Sequence, residues 1–408
     1  MNDLFSKIEQ IEQSLQQEFE AINDFIFRHP ELGGEEYISV KYLTDVLSQY
    51  GFEITMPYCD LDTAFRAEFG DREETKIAFL AEYDALKGMG EKGEPAHGCG
   101  HNWIAASSVG AAIVLSQLKD EFKGQIVVLG TPAEETFGAK VDMVERGAFD
   151  DIDIVIQGHL GNENILNTQA MAMNSLEFRF TGKPAHAAAY PYNGVNALDA
   201  VQLTFAGVNA LRQHIRPEAR IHGIVSNGGA AANIIPDQAA CKLTMRASSS
   251  SYLEEITQKV KNCAKGAALM TGTTMEYGKF ENSFLDMVNI PSLQEIMKEG
   301  LTKAGIENLL EEEVEPKGST DIGNVSYQCP TSYVQLDVEG DEPFLAHEQS
   351  AVSLSNSSYA MKKLHQAIQA FAYTGLYLFL NEKKIEEIKE EHQKILAKKG
   401  GKSCENKE

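Results

Sequence analysis

The densest chemistry in the sequence lies at His97-Gly98-Cys99-Gly100-His101-Asn102, where two imidazoles and a thiol fall within five residues and glycines let the backbone turn around a bound group. Thiolate and imidazole together suit zinc and related divalent ions, and the glycines beside them offer no packing reason for the cluster. Two other readings of this segment stay open on its residues alone. It can be a Gly-rich turn whose side chains hydrogen-bond locally, or Cys99 and His101 can form a thiol nucleophile with its base. Thr131-Pro132-Ala133-Glu134-Glu135 follows the apolar run QIVVL directly. Adjacent carboxylates there make sense if one ligates a metal and the other is a general base beside it. Taken alone, they also read as the acidic start of a helix, favoured by its dipole.

These residues need elements to position them. Short apolar runs at 76–81, 125–129 and 153–157 alternate with helix-like segments near 103–118 and 141–146. That pattern predicts buried parallel strands in an α/β sheet covered on both faces. Asp84 ends the strand KIAFLAEYD and His159 ends the strand DIVIQGH. An open parallel sheet collects its ligands beyond the carboxyl ends of its strands. Three strands therefore deliver Asp84, the glutamate pair and His159 to one edge, with Cys99 and His101 in the loop after the first.

Before this core, Phe5, Ile8, Ile11, Leu15, Phe19, Ile22 and Ile26 recur at spacings of three or four and predict an amphipathic helix over 4–28, ended by His29-Pro30. Around residue 171 the period changes. Leu176, Phe178 and Phe180 alternate with polar residues, a helix follows over 197–211, strands over 220–226 and 238–247, a helix from Ser251 with Glu254 as a capping box, and a last strand over 273–280. Strand-helix-strand-strand-helix-strand predicts a compact α+β insert. The segment 332–338 is expected to return to the first sheet, and 351–396 to be mostly helical, finishing in a Lys- and Glu-rich tail that reads as a solvated helix face. The predicted domains are 1–170 with 285–408, and 171–284. In the insert and near the end, His186, His347 and Arg246 read in isolation as a structural loop histidine, a histidine able to reach the sheet edge, and an exposed strand charge or a fork for a substrate carboxylate.

Composition narrows the class. The 408 residues carry a formal net charge of −24 with 43% hydrophobic residues, which excludes dominant disorder and argues against a nucleic-acid partner. No apolar run is long enough to span a membrane, the N-terminal segment lacks a leader pattern, and six cysteines are scattered without a framework. The expectation is a cytoplasmic protein without membrane or nucleic-acid partners.

HPELGGEE at 29–36, AEYDAL at 81–86, HGCGHN at 97–102, GTPAEE at 130–135, GKPAHAAAYPYNGVNALDAV at 182–201, IHGIVSNGGAAANIIPD at 221–237 and STDIGNVS at 319–326 follow one another in an order that resembles the M20 family of metallopeptidases and amidohydrolases. Within it the chain is most similar to the branch that includes a subunit of aminobenzoyl-glutamate hydrolase and peptidase M20 domain-containing protein 2. The resemblance implies an α/β catalytic domain with a mostly parallel central sheet flanked by helices, plus an inserted ferredoxin-like lid that forms a homodimer. It implies two divalent metal ions per protomer, held by Cys99, His101, Glu135, His159 and His347, with Glu134 as general base and Asp84 orienting a ligand. His186 is implied to steady the oxyanion across the dimer, and Asn233 and Arg246 to grip the substrate. Zinc or manganese suits the mixed ligands, and nickel or cobalt is compatible. The expected activity is hydrolysis of an amide in a small N-acyl amino acid or dipeptide. An aminobenzoyl-glutamate type aryl amide is the alternative substrate, and a non-catalytic metal- or ligand-binding homologue is the alternative class. The chain departs from common family usage at Asn102, Lys87 and Leu160.

Overall fold

The computed structural model describes residues 2–72, 74–312, 318–338 and 343–400; Cys404 and the end of the charged tail lie outside the described residues. The chain divides into two units. The first is built from the segments up to Gln169 and from Met287 onward, and the second from Ala170–Asp286 with a short return at Ser319 and Thr320.

In chain order the strands are β1 (Glu53–Thr55), β2 (Phe65–Gly70), β3 (Lys76–Ala81), β4 (Gln125–Gly130), β5 (Ile154–Gly161), β6 (Ile165–Asn167), β7 (Ala172–Thr181), β8 (Arg220–Asn227), β9 (Gln238–Ala247), β10 (Thr274–Lys279), β11 (Leu310–Glu312) and β12 (Thr331–Asp337). The first unit holds an eight-stranded sheet in the order β1-β2-β4-β3-β5-β12-β6-β11. Its centre, β4-β3-β5-β12, is parallel throughout. Antiparallel pairs occur at β1-β2, β2-β4 and β12-β6. Every residue of β4 is buried, as expected for a strand covered on both faces. The helix His101–Ser116 is buried along its whole length and packs on β3, β4 and β5, with the helices Asn2–Arg28 and Ser358–Phe379 packed against it in turn.

The second unit is a four-stranded antiparallel sheet in the order β10-β7-β9-β8. The helices Ala197–Leu211 and Ser250–Thr271 pack on it, and Phe178, Phe180, Val201, Val208, Ile256 and Val260 form the core between them. Numbered within the unit, the strand order is 4-1-3-2, the ferredoxin-like arrangement.

Three local expectations need correction. The helix after β9 is capped by Ser249, whose hydroxyl accepts from Tyr252 N, rather than by Ser251. Four consecutive serines each suit a cap, and Asp286 selects among them by binding Ser250 N at 2.8 Å. β5 does not end at His159 but continues to Gly161, because β12 pairs with it as far as Asp337. The helix Glu382–Lys399 is not only a solvated face, since it buries Ile385, Ile388 and His392 against the first unit.

Candidate metal centre

Parallel β4, β3 and β5 present their carboxyl ends on one edge of the sheet, and the candidate side chains gather there. Asp84 lies three residues past β3, and the following loop runs through Cys99 to Gly100, whose φ of +78° allows the turn into the helix that begins at His101. Glu134 and Glu135 follow β4 through Ala133, which holds a left-handed φ of +58°. His159 projects from β5. His347, also left-handed at φ +66°, donates its backbone N–H to Gly98 O at 2.8 Å, which ties it to the cysteine loop.

The donor atoms converge. Cys99 Sγ lies 3.5 Å from His159 Nε2, and His347 Nε2 lies 3.1 Å from Glu135 Oε1. Three sets, Cys99–His101–His159, Cys99–Glu135–His347 and His101–Glu134–Glu135, each bring their ligand atoms within 4.8 Å of one another. Asp84 braces the arrangement from behind. Its Oδ1 is 2.8 Å from His101 Nδ1, and its Oδ2 accepts Glu135 N at 2.9 Å. With Nδ1 turned to Asp84, Nε2 is the His101 nitrogen that faces the site; it is buried and has no hydrogen-bond partner among the described residues, with Glu82 Oε2 at 3.6 Å and Glu135 Oε1 at 3.8 Å. His159 is arranged alike, with Nδ1 2.6 Å from Leu160 O and Nε2 facing the sulfur.

Charge around the centre is unbalanced. Glu82, Asp84, Glu134, Glu135 and Asp321 meet a single buried ammonium among the described residues, Lys140, whose Nζ is 2.6 Å from Glu82 and 2.7 Å from Asp321. Burial, then Glu135, Asp321 and Glu82, push the Glu134 carboxyl well above its ordinary range. Burial and Glu135 push the Cys99 thiol up as well. Burial opposes ionisation of Glu135, but the His347 and His101 imidazoles outweigh it and hold its carboxyl low. An orphaned buried imidazole nitrogen, a thiol and surplus carboxylates fit divalent cations, which would relieve the repulsion.

Sequence reasoning does not single out Lys140, Glu82, Asp321 or Glu36. Glu82 lies in AEYDAL, Asp321 in STDIGNVS and Glu36 in HPELGGEE, so motif membership is their signal; Lys140 has none. Glu36, buried beneath the Ala133 turn, is pushed up to about 7 by burial and by the Asp84 charge. His97, part of the dense cluster, turns away from the donors and places Nε2 3.0 Å from Ile26 O. Asn102 is explained by its amide, whose Nδ2 donates to Asn23 Oδ1 at 2.9 Å and Ser355 O at 3.0 Å. An aspartate there would set acceptor against acceptor.

His186, Asn233 and Arg246 lie in the second unit. His186 Nδ1 accepts from Ala188 N and Ala189 N, which leaves Nε2 outside these bonds, and Asn233 O accepts Ala187 N at 3.0 Å, so the two segments share one backbone pairing. Arg246 on β9 donates to Ser319 Oγ at 2.9 Å and is lowered in pKa by burial.

A parallel sheet edge carrying this donor set is an arrangement suited to divalent metal ions. Residues 78–374 match peptidase family M20/M25/M40, and the chain belongs to that family of hydrolases acting on C–N bonds. It is 34% identical over 386 residues to the Xaa-Arg dipeptidase of Mus musculus, covering 91% of this chain and 88% of that one. It is 29% identical over 469 residues to a subunit of the p-aminobenzoyl-glutamate hydrolase of Escherichia coli, covering 97% and 96%. In fold it resembles a dinuclear metal-binding M20 peptidase of Bacillus subtilis, with a TM-score of 0.64 and 20% identity over 87% of this chain and 98% of that one. No helix among the described residues is long and apolar enough to cross a membrane.

Proposed function

We propose that the protein hydrolyses the amide bond of a small dipeptide or N-acyl amino acid with two divalent metals, zinc or manganese, held by Cys99, His101, Glu135, His159 and His347. The observation that carries this reading is His101 Nε2, buried and without a hydrogen bond among the described residues, where Cys99, His159 and the glutamate pair meet. When bound, the metals supply Lewis acidity to the amide carbonyl and to a water. Glu134 takes a proton from the attacking water and returns it to the leaving amine; a carboxyl whose pKa is drawn upward by its surroundings suits both directions of transfer. His186 donates a hydrogen bond to the developing oxyanion through Nε2, the ring nitrogen outside its local bonds. Arg246 holds the substrate carboxylate as a planar fork, and Asn233 assists it.

The dipeptide side of this reading is supported by the Mus musculus relative, which is more identical to this chain than the Escherichia coli one. A homodimer through the second unit is part of the proposal, because β8 is an edge strand whose Ile224 and Val225 are 63% and 48% exposed. The five described cysteines are unpaired, which suits a reducing compartment such as the cytoplasm.

The test is a panel of dipeptides, N-acyl amino acids and aryl amides given to metal-loaded protein of measured metal content. Hydrolysis that disappears on chelation, and that falls about 10²- to 10⁴-fold in Glu134→Gln, is the expected result. Turnover that survives both treatments would sink the reading, as would failure to retain metal.

A further inference from the structure

The motif HPELGGEE is left without a part in the chemistry above, and its residues fold directly under the turn that carries the glutamate pair. Leu32 bridges to Ala85, while the Glu31 carboxylate accepts Ile38 N and Ser39 N at the start of the helix Tyr37–Gln49. Gly33 packs so closely that a Cβ there would lie 2.8 Å from Ala133 Cα. Glu36 is fully buried, and its Oε1 accepts the backbone N–H of Ala133 at 2.8 Å. Its Oε2 accepts Gly34 N at 2.9 Å and Thr63 Oγ1 at 2.7 Å. A carboxylate thus meets three fixed donors.

Ala133 is the residue that needs such a clamp. Its left-handed backbone, at φ +58°, crowds the Cβ of any residue but glycine. The turn is gripped at two points, Ala133 N by Glu36 and Glu135 N by Asp84 at 2.9 Å, and Glu134 lies between them. We infer that Glu36 is a positioning residue: it holds Ala133 in its strained conformation and so fixes where Glu134 and Glu135 point. This rests on the proposed roles of those two glutamates. A small sideways shift of either carboxylate would spoil both proton transfer and metal holding, since donor geometry must be kept to about half an ångström.

Glu36→Gln keeps the shape but replaces an acceptor oxygen with a donor, so one of the three backbone or hydroxyl donors is left opposed. Three readouts, kcat, KM and metal affinity, are compared with Thr63→Val, which removes a bond to Oε2 without touching Ala133. The expected result for Glu36→Gln is kcat down about 10- to 100-fold with little change in KM, and cobalt(II) affinity down by a similar factor in titrations followed by visible absorption. Thr63→Val should lose stability yet keep kcat and cobalt affinity near wild type. Adding Ala133→Gly to Glu36→Gln should recover part of both losses, because glycine accepts positive φ without the strain. Equal losses in Thr63→Val and Glu36→Gln, or no recovery in the double variant, would overturn the inference and leave Glu36 as ordinary packing. If no amide is hydrolysed even by wild type, the functional reading fails, while the cobalt titration still decides the role of Glu36. Should Glu36→Gln not fold, Ala133→Gly alone is read against Ala133→Val: a kcat and cobalt affinity unaffected by both would count against the clamp.

Discussion

In the first unit Lys140, Glu82 and Asp321 are enclosed in the protein at ion-pair distance, whereas the ion pairs of the second unit among the described residues, Arg179–Glu177 and Lys259–Glu255, lie at its surface. The second unit keeps its polar side chains, including Arg246, Ser175 and Thr244, on strands whose opposite face meets the two helices. Enclosed charge is costly unless each group has a fixed partner, so the first unit has a geometry it cannot relax without penalty. Its unmatched carboxylates stand ready for cations. The second unit keeps Arg246 and Thr244 half-buried and Ser175 buried on its other face, and leaves β8 as a sheet edge.

That contrast can be broken by mutation. The largest effect is expected from Lys140→Met, which leaves Glu82 and Asp321 enclosed without their ammonium; denaturant unfolding should show a loss of about 3–5 kcal/mol. An equal loss from a surface exchange such as Lys259→Met would erase the distinction. Metal removal comes next. Divalent metal at about 100 times its Kd should raise stability by about 2.7 kcal/mol, visible as a higher Tm that chelation abolishes, and a Tm indifferent to metal would mean the carboxylate surplus is satisfied some other way. Arg246→Ala should raise KM about 10- to 100-fold for substrates with a free carboxylate while leaving Tm nearly unchanged, since among the described residues the guanidinium's side-chain hydrogen bond is to the Ser319 hydroxyl. The smallest effect concerns the helices Asn2–Arg28 and Ser358–Phe379, where burial disfavours a charged His365 but Glu12 and Glu20 outweigh it and raise its pKa. The stability it supplies is complete below the ordinary imidazole pKa of about 6.5 and fades as pH rises through the raised value. His365→Gln should cost about 1–2 kcal/mol at pH 6 and less at pH 9; a pH-independent cost would mean that the imidazolium charge plays no part there.

Much of the fold was legible because hydrophobic period is a local property. The apolar runs of β3, β4 and β5 and the alternation of Leu176, Phe178 and Phe180 needed only their neighbours to be read. The three-residue strands β1, β6 and β11 left no period to detect; β6 and β11 are held by pairing across distant segments, and β1 by pairing with β2. The candidate site was legible through residue types that have no packing reason, such as Cys99 between glycines. Lys140 was not, because in AKVDMVE it looks like any lysine on a helix surface, and its partners lie 58 residues before it and 181 after it. Ser249 shows the same limit on a smaller scale, since only Asp286, far along the chain, decides which serine caps.

The first helix reaches the centre from behind. Ile26 O holds the His97 ring and Asn23 holds the Asn102 amide, so the loop bearing Cys99 and His101 is anchored at both ends to a segment that contributes no donor of its own. Trimming the chain past residue 28 would therefore remove a splint rather than a tail, and with it Ile8, Phe19, Ile22 and Ile26 of the core.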